Sequence, residues 1–355
     1  VNKQYFLSTF AAFLAHLRVT FGRPRKFSIG FDHLNHHIMK KALKILGMVL
    51  LGLVVIVLLG AAYINFSPIP KHEAEVPAIT IKADSAQLAR GEHLVNASCA
   101  LCHKGKNTNQ MEGGLWREKD FGEVYTPNLT LHPDSKLSQY SDGELALMLR
   151  TGLKKNGEVA FFMPRYMHLS DEDLNAVIAF LRSESPLTRP SDKQWPERKP
   201  NYLAKLLTKV AIKPTPYPET VAAVDFNDPV AHGRYLAHNL ACYHCHSGSF
   251  DGINEVEPTA SAGYFGGGNP ILKKDGSAKV LSSNLTPHPD HGLGKYSPEL
   301  FAKAVRTGKR HDGSNLDHSM PLFTNLTDAE VNAMYAYLQT VPVIDNAIEP
   351  GAVVK

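Results

Sequence analysis

Two short stretches fix most of what this chain can become: Cys99-Ala100-Leu101-Cys102-His103 and Cys242-Tyr243-His244-Cys245-His246. Each reads Cys-x-x-Cys-His, the pattern that attaches a c-type haem. The chemistry sets the spacing. Two thiols bond to the vinyl positions on one edge of a porphyrin, and the following His reaches over the ring face to the iron. The chain has 4 Cys, and the two motifs use all of them. No thiol is left for a disulfide or a separate metal site. Paired Cys-x-x-Cys motifs also build four-thiolate zinc sites, but such knuckles usually lie much closer together. Here they are 143 residues apart (242 − 99), and each carries the same trailing His. A thioredoxin-like dithiol would need a βαβ setting and has no use for that His. Two covalently bound haem c groups, held by Cys99, Cys102, Cys242 and Cys245, are therefore the expectation.

The chain also repeats itself. Asn128-Leu129-Thr130 recurs as Asn284-Leu285-Thr286, and His132-Pro133-Asp134 as His288-Pro289-Asp290. Arg150-Thr151-Gly152 recurs as Arg306-Thr307-Gly308, and Met163-Pro164 as Met320-Pro321. The Asn offset is 156 (284 − 128) against 143 for the Cys, so the second copy holds 13 extra residues (156 − 143). They are expected around the Gly-rich stretch Tyr264-Phe265-Gly266-Gly267-Gly268, read as padding or as a loop covering a haem edge.

Helices follow from period and caps. Leu174, Val177, Ile178 and Leu181 form one apolar face, as do Val331, Met334, Tyr335 and Leu338. Ser170-x-x-Asp173 and Thr327-x-x-Glu330 start these helices, and Ser141 and Ser297 cap a middle helix in each copy. Leu88–Ser98 and Val230–Ala241 lead into the haem motifs as short helices. Strand signals are almost absent, so the expected class is all-α: two tandem units, residues 85–185 and 225–345, each wrapped on a flat cofactor that supplies apolar surface. Between them, residues 186–224 hold 7 Pro and read as an extended linker, with one helical stretch from Tyr202 to Val210. Gly91 and Gly233 are expected to let the first helix of each copy cross closely over the last, against Phe180 and Tyr337.

Ahead of the repeats, Ile45–Ile64 is an uninterrupted uncharged run. A run of this length spans a bilayer as one helix, and the preceding Lys40, Lys41 and Lys44 keep the N-terminal side in the cytoplasm. The alternative is a cleaved signal peptide, whose apolar segment is normally shorter. Residues 1–44 form an N-terminal cytoplasmic segment with eight Lys or Arg and one acid. That is +7, so the remainder carries 4 − 7 = −3; the body is mildly acidic, and no nucleic-acid partner is expected. Met39-Lys40-Lys41 has the form of a natural start, so residues 1–38 read as an over-extended gene start or as a tail at the membrane surface. Residues 65–84 are expected to be a Pro-containing tether, and 346–355 a tail.

His103 and His246 each supply one axial ligand. Opposite them, Met163 and Met320 are the candidates, by analogy with His/Met ligation in cytochromes c. Both precede Pro, and both lie seven residues before the cap of the last helix (170 − 163, 327 − 320). Met167 competes in the first copy, but its counterpart is Thr324. His132 and His288 are read as turn residues, with bis-His ligation as the minority alternative. Arg150 and Arg306, with Asn128 and Asn284, are candidates for contacts to haem propionates.

Taken together, both copies resemble class I cytochrome c domains: Cys-x-x-Cys-His early, Met late, then a closing helix. The Asn-Leu-Thr, Arg-Thr-Gly and Met-Pro landmarks resemble membrane-anchored bacterial dihaem cytochromes c and the cytochrome subunits of periplasmic alcohol and sugar-acid dehydrogenases. Those subunits commonly carry three haem domains. The resemblance implies haem assembly outside the cytoplasm, with the haem domains on the periplasmic face of the inner membrane. It also implies electron transfer between periplasmic or membrane partners, a dehydrogenase donor or an oxidase acceptor. No catalytic residue is expected. The rival reading is a dihaem redox enzyme, a peroxidase or thiosulfate-type dehydrogenase, which needs an open iron position that two matched Met-Pro sites argue against.

Overall fold

The computed structural model describes residues 31–355, apart from 83, 119, 120, 274, 275, 350 and 355, with side chains from residue 38 onward, 116–118 excepted. Most of the basic N-terminal segment, including residues 1–30 of the suspected over-extension, lies outside the described residues. The chain divides into two compact units, one ending at Tyr63 and one running from Ile64 to Lys355.

Helix α1, Phe31–Phe66, contains the whole uncharged run. Its stretch Ile38–Phe66 is long and apolar enough to cross a membrane, a test that a signal sequence also passes. Almost every large apolar side chain on it is exposed, on all sides of the helix. A helix that is apolar all round has no face to turn toward water.

The second unit contains the two copies in order. In the first, α2 (Ser85–Leu94) is capped by Asp84 and runs into a π-helical turn, Val95–Cys99, and then α3 (Ala100–His103). Helix α4 (Asp142–Thr151) has a full capping box from Ser141 and Glu144, and ends on Gly152 at φ 74°. Helix α5 (Asp171–Leu181) starts at Ser170, whose hydroxyl accepts from the Asp173 amide. Helix α6 (Tyr202–Val210) has the bounds the sequence indicated. The second copy repeats the set: α7 (Pro229–Asn239), α8 (Cys242–His246), α9 (Pro298–Thr307) behind Ser297, and α10 (Asp328–Leu338) behind a Thr327/Glu330 capping box. Each cap satisfies amides that the first helical turn leaves open.

The glycines cross as expected. A Cβ on Gly91 would lie 2.0 Å from the Ala176 carbonyl oxygen and 2.8 Å from the Phe180 Cβ. One on Gly233 would lie 1.9 Å from the Ala333 oxygen and 2.8 Å from the Tyr337 Cβ. Helices α2 and α5, and α7 and α10, thus meet backbone to backbone. Two apolar clusters form, one mostly from each copy, with Tyr235 of the second copy in the first and Ala97 of the first in the second. Leu145, Leu149, Val177, Ile178 and Phe180 belong to the first, and Phe301, Val331, Met334, Tyr337 and Leu338 to the second.

The all-α expectation needs correcting. An antiparallel hairpin pairs β1 (Gly114–Glu118) with β2 (Gly122–Thr126). A second sheet has the order β3 (Pro270–Leu272), β4 (Lys279–Leu281) and β5 (Val353–Val354), so part of the expected tail pairs as an edge strand. Strands of two to five residues are too short for period-2 alternation to register. The tether and linker are extended but not free. Ile79 and Ile81 pack on the first cluster, and Leu187 is part of it. The carbonyls of Leu187 and Thr188 accept from the Met111 and Leu131 amides.

Candidate functional site

The two Cys-x-x-Cys-His motifs take the same place in each copy, at the end of the first helix and on the edge of that copy's apolar cluster. All four cysteines are free thiols. Burial, with the neighbouring Cys102, pushes the Cys99 thiol up to about 12. Burial with Cys245 does the same for Cys242, also to about 12. Such thiols carry almost no thiolate at neutral pH, which argues against a reactive redox dithiol. Among the described residues, the one group of three or more close metal-ligating side chains is His288, His291 and Asp345, so the cysteines do not gather into a zinc site.

The histidines carry the most specific geometry. His103 Nδ1 lies 3.1 Å from the Pro127 carbonyl oxygen, and His246 Nδ1 lies 2.8 Å from that of Ser283. A carbonyl only accepts, so each Nδ1 holds the ring proton and Nε2 holds the lone pair. Burial outweighs the carbonyl bond in both cases and lowers the pKa, keeping the rings neutral. A neutral imidazole with Nδ1 bonded to a carbonyl and Nε2 left basic is a metal-ligand arrangement.

The matched Asn residues act one step behind. Asn128 follows Pro127, donates to the carbonyls of Ser191 (2.8 Å) and Lys193 (3.0 Å), and accepts from the Thr130 amide. Asn284 follows Ser283 and does the same with Ile344, Asn346 and Thr286. Their amides are spent on the chain, fixing the segment whose carbonyl orients the His. The sequence does not reveal this role, because its partners lie some sixty residues away. A glycine completes each cradle: Gly113 and Gly267 donate to the carbonyls of His103 and His246, at 2.8 Å each, with φ 75° and 69°. A Cβ on Gly267 would lie 2.5 Å from the Asn284 nitrogen.

This pairing moves the extra residues of the second copy. The offset is already 154 at Gly267 (267 − 113), so eleven of the thirteen (154 − 143) precede it. They form two short turns, Phe250–Gly252 and Pro258–Ala260. The Gly-rich loop itself is not padding; it holds His246.

Arg150 is completely buried. Its guanidinium donates to the carbonyls of Tyr166 (3.2 Å), Met167 (3.1 Å) and Leu169, and to Asp171 at 2.6 Å. It ties down the loop that runs from Met163 to α5. Only its Nε–H is buried without a partner among the described residues, and that atom is the one donor left for a propionate. Arg306 repeats the role at the surface, bonding Asp328 and the Leu326 carbonyl. Met163 and Met320 are half-buried, each packed against the cluster that also contacts its own copy's Cys99 or Cys242. A mostly apolar cavity lies between the copies, lined by Cys99, Leu149 and Tyr166 of the first and by Tyr235, Leu236 and Leu326 of the second. His132 and His288 both accept the amide two residues on, at 3.2 Å, as turn residues do.

The copies also hold each other. Arg90 on α2 makes a bidentate pair with Asp173 at 2.8 Å, and Tyr235 of the second copy donates to the same carboxylate at 2.6 Å. In exchange, His93 of the first copy bonds Glu330 in the second, at 2.7 Å. Asp173 and Glu330 each stand third in the last helix of their copy, so the two contacts are counterparts.

Residues 86–181 match the family model described as Cytochrome C oxidase, cbb3-type, subunit III. The chain is 26% identical to the cytochrome c subunit of alcohol dehydrogenase (quinone) from Gluconobacter oxydans (strain 621H), over 74% of this chain and 56% of the relative. It is 28% identical to the fructose dehydrogenase cytochrome subunit of Gluconobacter japonicus, over 73% and 54%. A diheme cytochrome c-type protein of Cereibacter sphaeroides is 26% identical, over 83% of this chain and 98% of its own length. The chain thus spans little more than half the length of the dehydrogenase subunits it matches. Residues 86–181 thus resemble a cytochrome c domain, and the chain resembles the cytochrome subunits of dehydrogenases.

Proposed function

We propose that this chain is a membrane-anchored dihaem cytochrome c that passes electrons between periplasmic or membrane redox partners. Cys99 and Cys102 would hold one haem, and Cys242 and Cys245 the other. The observation that carries the reading is the duplicated His cradle: two neutral imidazoles, each with Nδ1–H on a carbonyl and Nε2 left to bind iron. Met163 and Met320 are assigned to the opposite faces. When bound, the haems supply one-electron redox chemistry. The chain's own residues keep the site dry, orient each imidazole and set the potential through the sixth ligand.

In this reading residues 85–185 and 225–345 are tandem cytochrome c domains, residues 45–64 are a retained inner-membrane anchor, and the domains face the periplasm. The likeness to dehydrogenase cytochrome subunits supports a periplasmic dehydrogenase as donor. The test is ligand access. The haem-loaded protein should neither bind cyanide readily nor turn over peroxide, because Met163 and Met320 would hold the positions those ligands need. Fast cyanide binding with peroxide turnover would make it a dihaem enzyme instead.

A further inference from the structure

Helix α6 presents its apolar side in the wrong direction for a soluble protein. Its sequence is Tyr-Leu-Ala-Lys-Leu-Leu-Thr-Lys-Val. At 3.6 residues per turn, Tyr202, Leu203, Leu206, Leu207 and Val210 share one continuous arc, and Ala204 and Thr208 lie opposite. The buried residues are Ala204 and Thr208. On the apolar arc, Tyr202 is 45% exposed, Leu203 41% and Val210 63%, while Leu206 and Leu207 are half-buried. Nothing on that arc belongs to either apolar cluster. A globular surface helix does the reverse, burying its apolar stripe and wetting its small polar face.

The flank of the helix bears on what covers the arc. Lys205 Nζ donates to the Asn65 carbonyl at 2.8 Å and Lys209 Nζ to that of Pro68 at 2.6 Å, with further bonds to Asn65 and Ser67 side chains. Residues 65–68 follow directly on the uncharged run that ends at Ile64. If that run spans a bilayer, these four residues lie within a few Å per residue of its outer surface. A helix bonded to them lies at the same level.

We propose that α6 is an interfacial membrane helix. It lies in the headgroup region with Leu203, Leu206 and Val210 in the acyl boundary, and its lysines tie it to the end of the span. A short helix with one apolar face and flanking Lys suits that boundary. The linker between the two copies is then a second membrane contact, and it holds both haem sites close to the bilayer. The inference rests on the retained anchor proposed above.

The test uses the full chain in phosphatidylethanolamine/phosphatidylglycerol vesicles that contain a phospholipid with a photoactivatable acyl chain. After illumination, lipid adducts are mapped by peptide mass spectrometry. Adducts on both 45–64 and 202–210 are expected. Adducts on 45–64 alone overturn the inference, leave the anchor standing and point to a protein covering the arc. Adducts on neither overturn the anchor, and the inference with it. The doubly substituted Leu203→Glu/Val210→Glu chain, altered only at exposed positions, should lose the adducts on 202–210 and keep those on 45–64. Unchanged labelling of 202–210 in that variant also counts against the inference.

Discussion

Replacing Gly91 with Ala should separate the two helices on which the first copy is built. The new Cβ would sit 2.0 Å from the Ala176 carbonyl oxygen, whereas ordinary contact begins at 3.4 Å. Relief needs a movement of 1.4 Å (3.4 − 2.0), and the obstacle is backbone, which has no rotamer to escape into. Overpacking of this kind costs about 1–3 kcal/mol, and a backbone clash belongs at the upper end, about 3 kcal/mol. Alanine returns about 1 kcal/mol of helix propensity, for a net loss of about 2 kcal/mol. At roughly 2–4 °C per kcal/mol, Tm falls by about 4–8 °C. The assay is guanidinium and thermal unfolding of the haem-loaded protein, followed by far-UV circular dichroism and by Soret absorbance. Gly233→Ala should behave alike. Gly114→Ala, where an added Cβ meets nothing within 4 Å, should change stability by less than about 0.5 kcal/mol. A Gly91→Ala protein as stable as the Gly114→Ala control would refute the close-crossing argument.

Other consequences follow from the same geometry. Met320→His should lower the potential of one haem by on the order of 0.2 V, within the roughly 0.8 V that axial ligands command; potentiometric titration reads it, and an unchanged potential removes Met320 as a ligand. Arg150→Lys loses the fork that binds three carbonyls and Asp171, and should cost more than about 3 kcal/mol in chemical unfolding, with the first haem's Met ligation weakened in its absorption spectrum. Burial alone would raise the Glu330 pKa, but hydrogen bonds from His93 and Thr327 outweigh it and hold the carboxylate below its ordinary range. Its contribution to stability is therefore present at neutral pH and is lost as pH falls below the unfolded value through the lowered folded one. Glu330→Gln should flatten the acid limb of the stability profile, and an identical limb in both proteins would contradict the assignment.

Much of this was legible in the sequence because it is local. Caps at Ser141, Ser170, Ser297 and Thr327 are announced within four residues, and the apolar faces of α5 and α10 within eleven. The glycine crossings were readable because the duplication set each Gly against an equivalent partner. The missed features are non-local or too short. Asn128 and Arg150 donate to main-chain carbonyls 16 to 65 residues away, contacts that no motif encodes. The strands fall below the length at which alternation shows. The extra residues of the second copy were misplaced because Gly267 had no visible counterpart until its bond to the His246 carbonyl matched that of Gly113 to His103. The exchange of Tyr235 and His93 between copies depends on how they pack, which composition does not reveal.

The number of irons per chain is the decisive quantity. Intact mass and pyridine haemochrome should be measured on the protein matured in a host that attaches haem c. Two haem masses on one polypeptide, with two haems per chain in solution and loss of one in each of Cys99→Ala/Cys102→Ala and Cys242→Ala/Cys245→Ala, are predicted. A colourless protein with the mass of the bare chain would contradict the account.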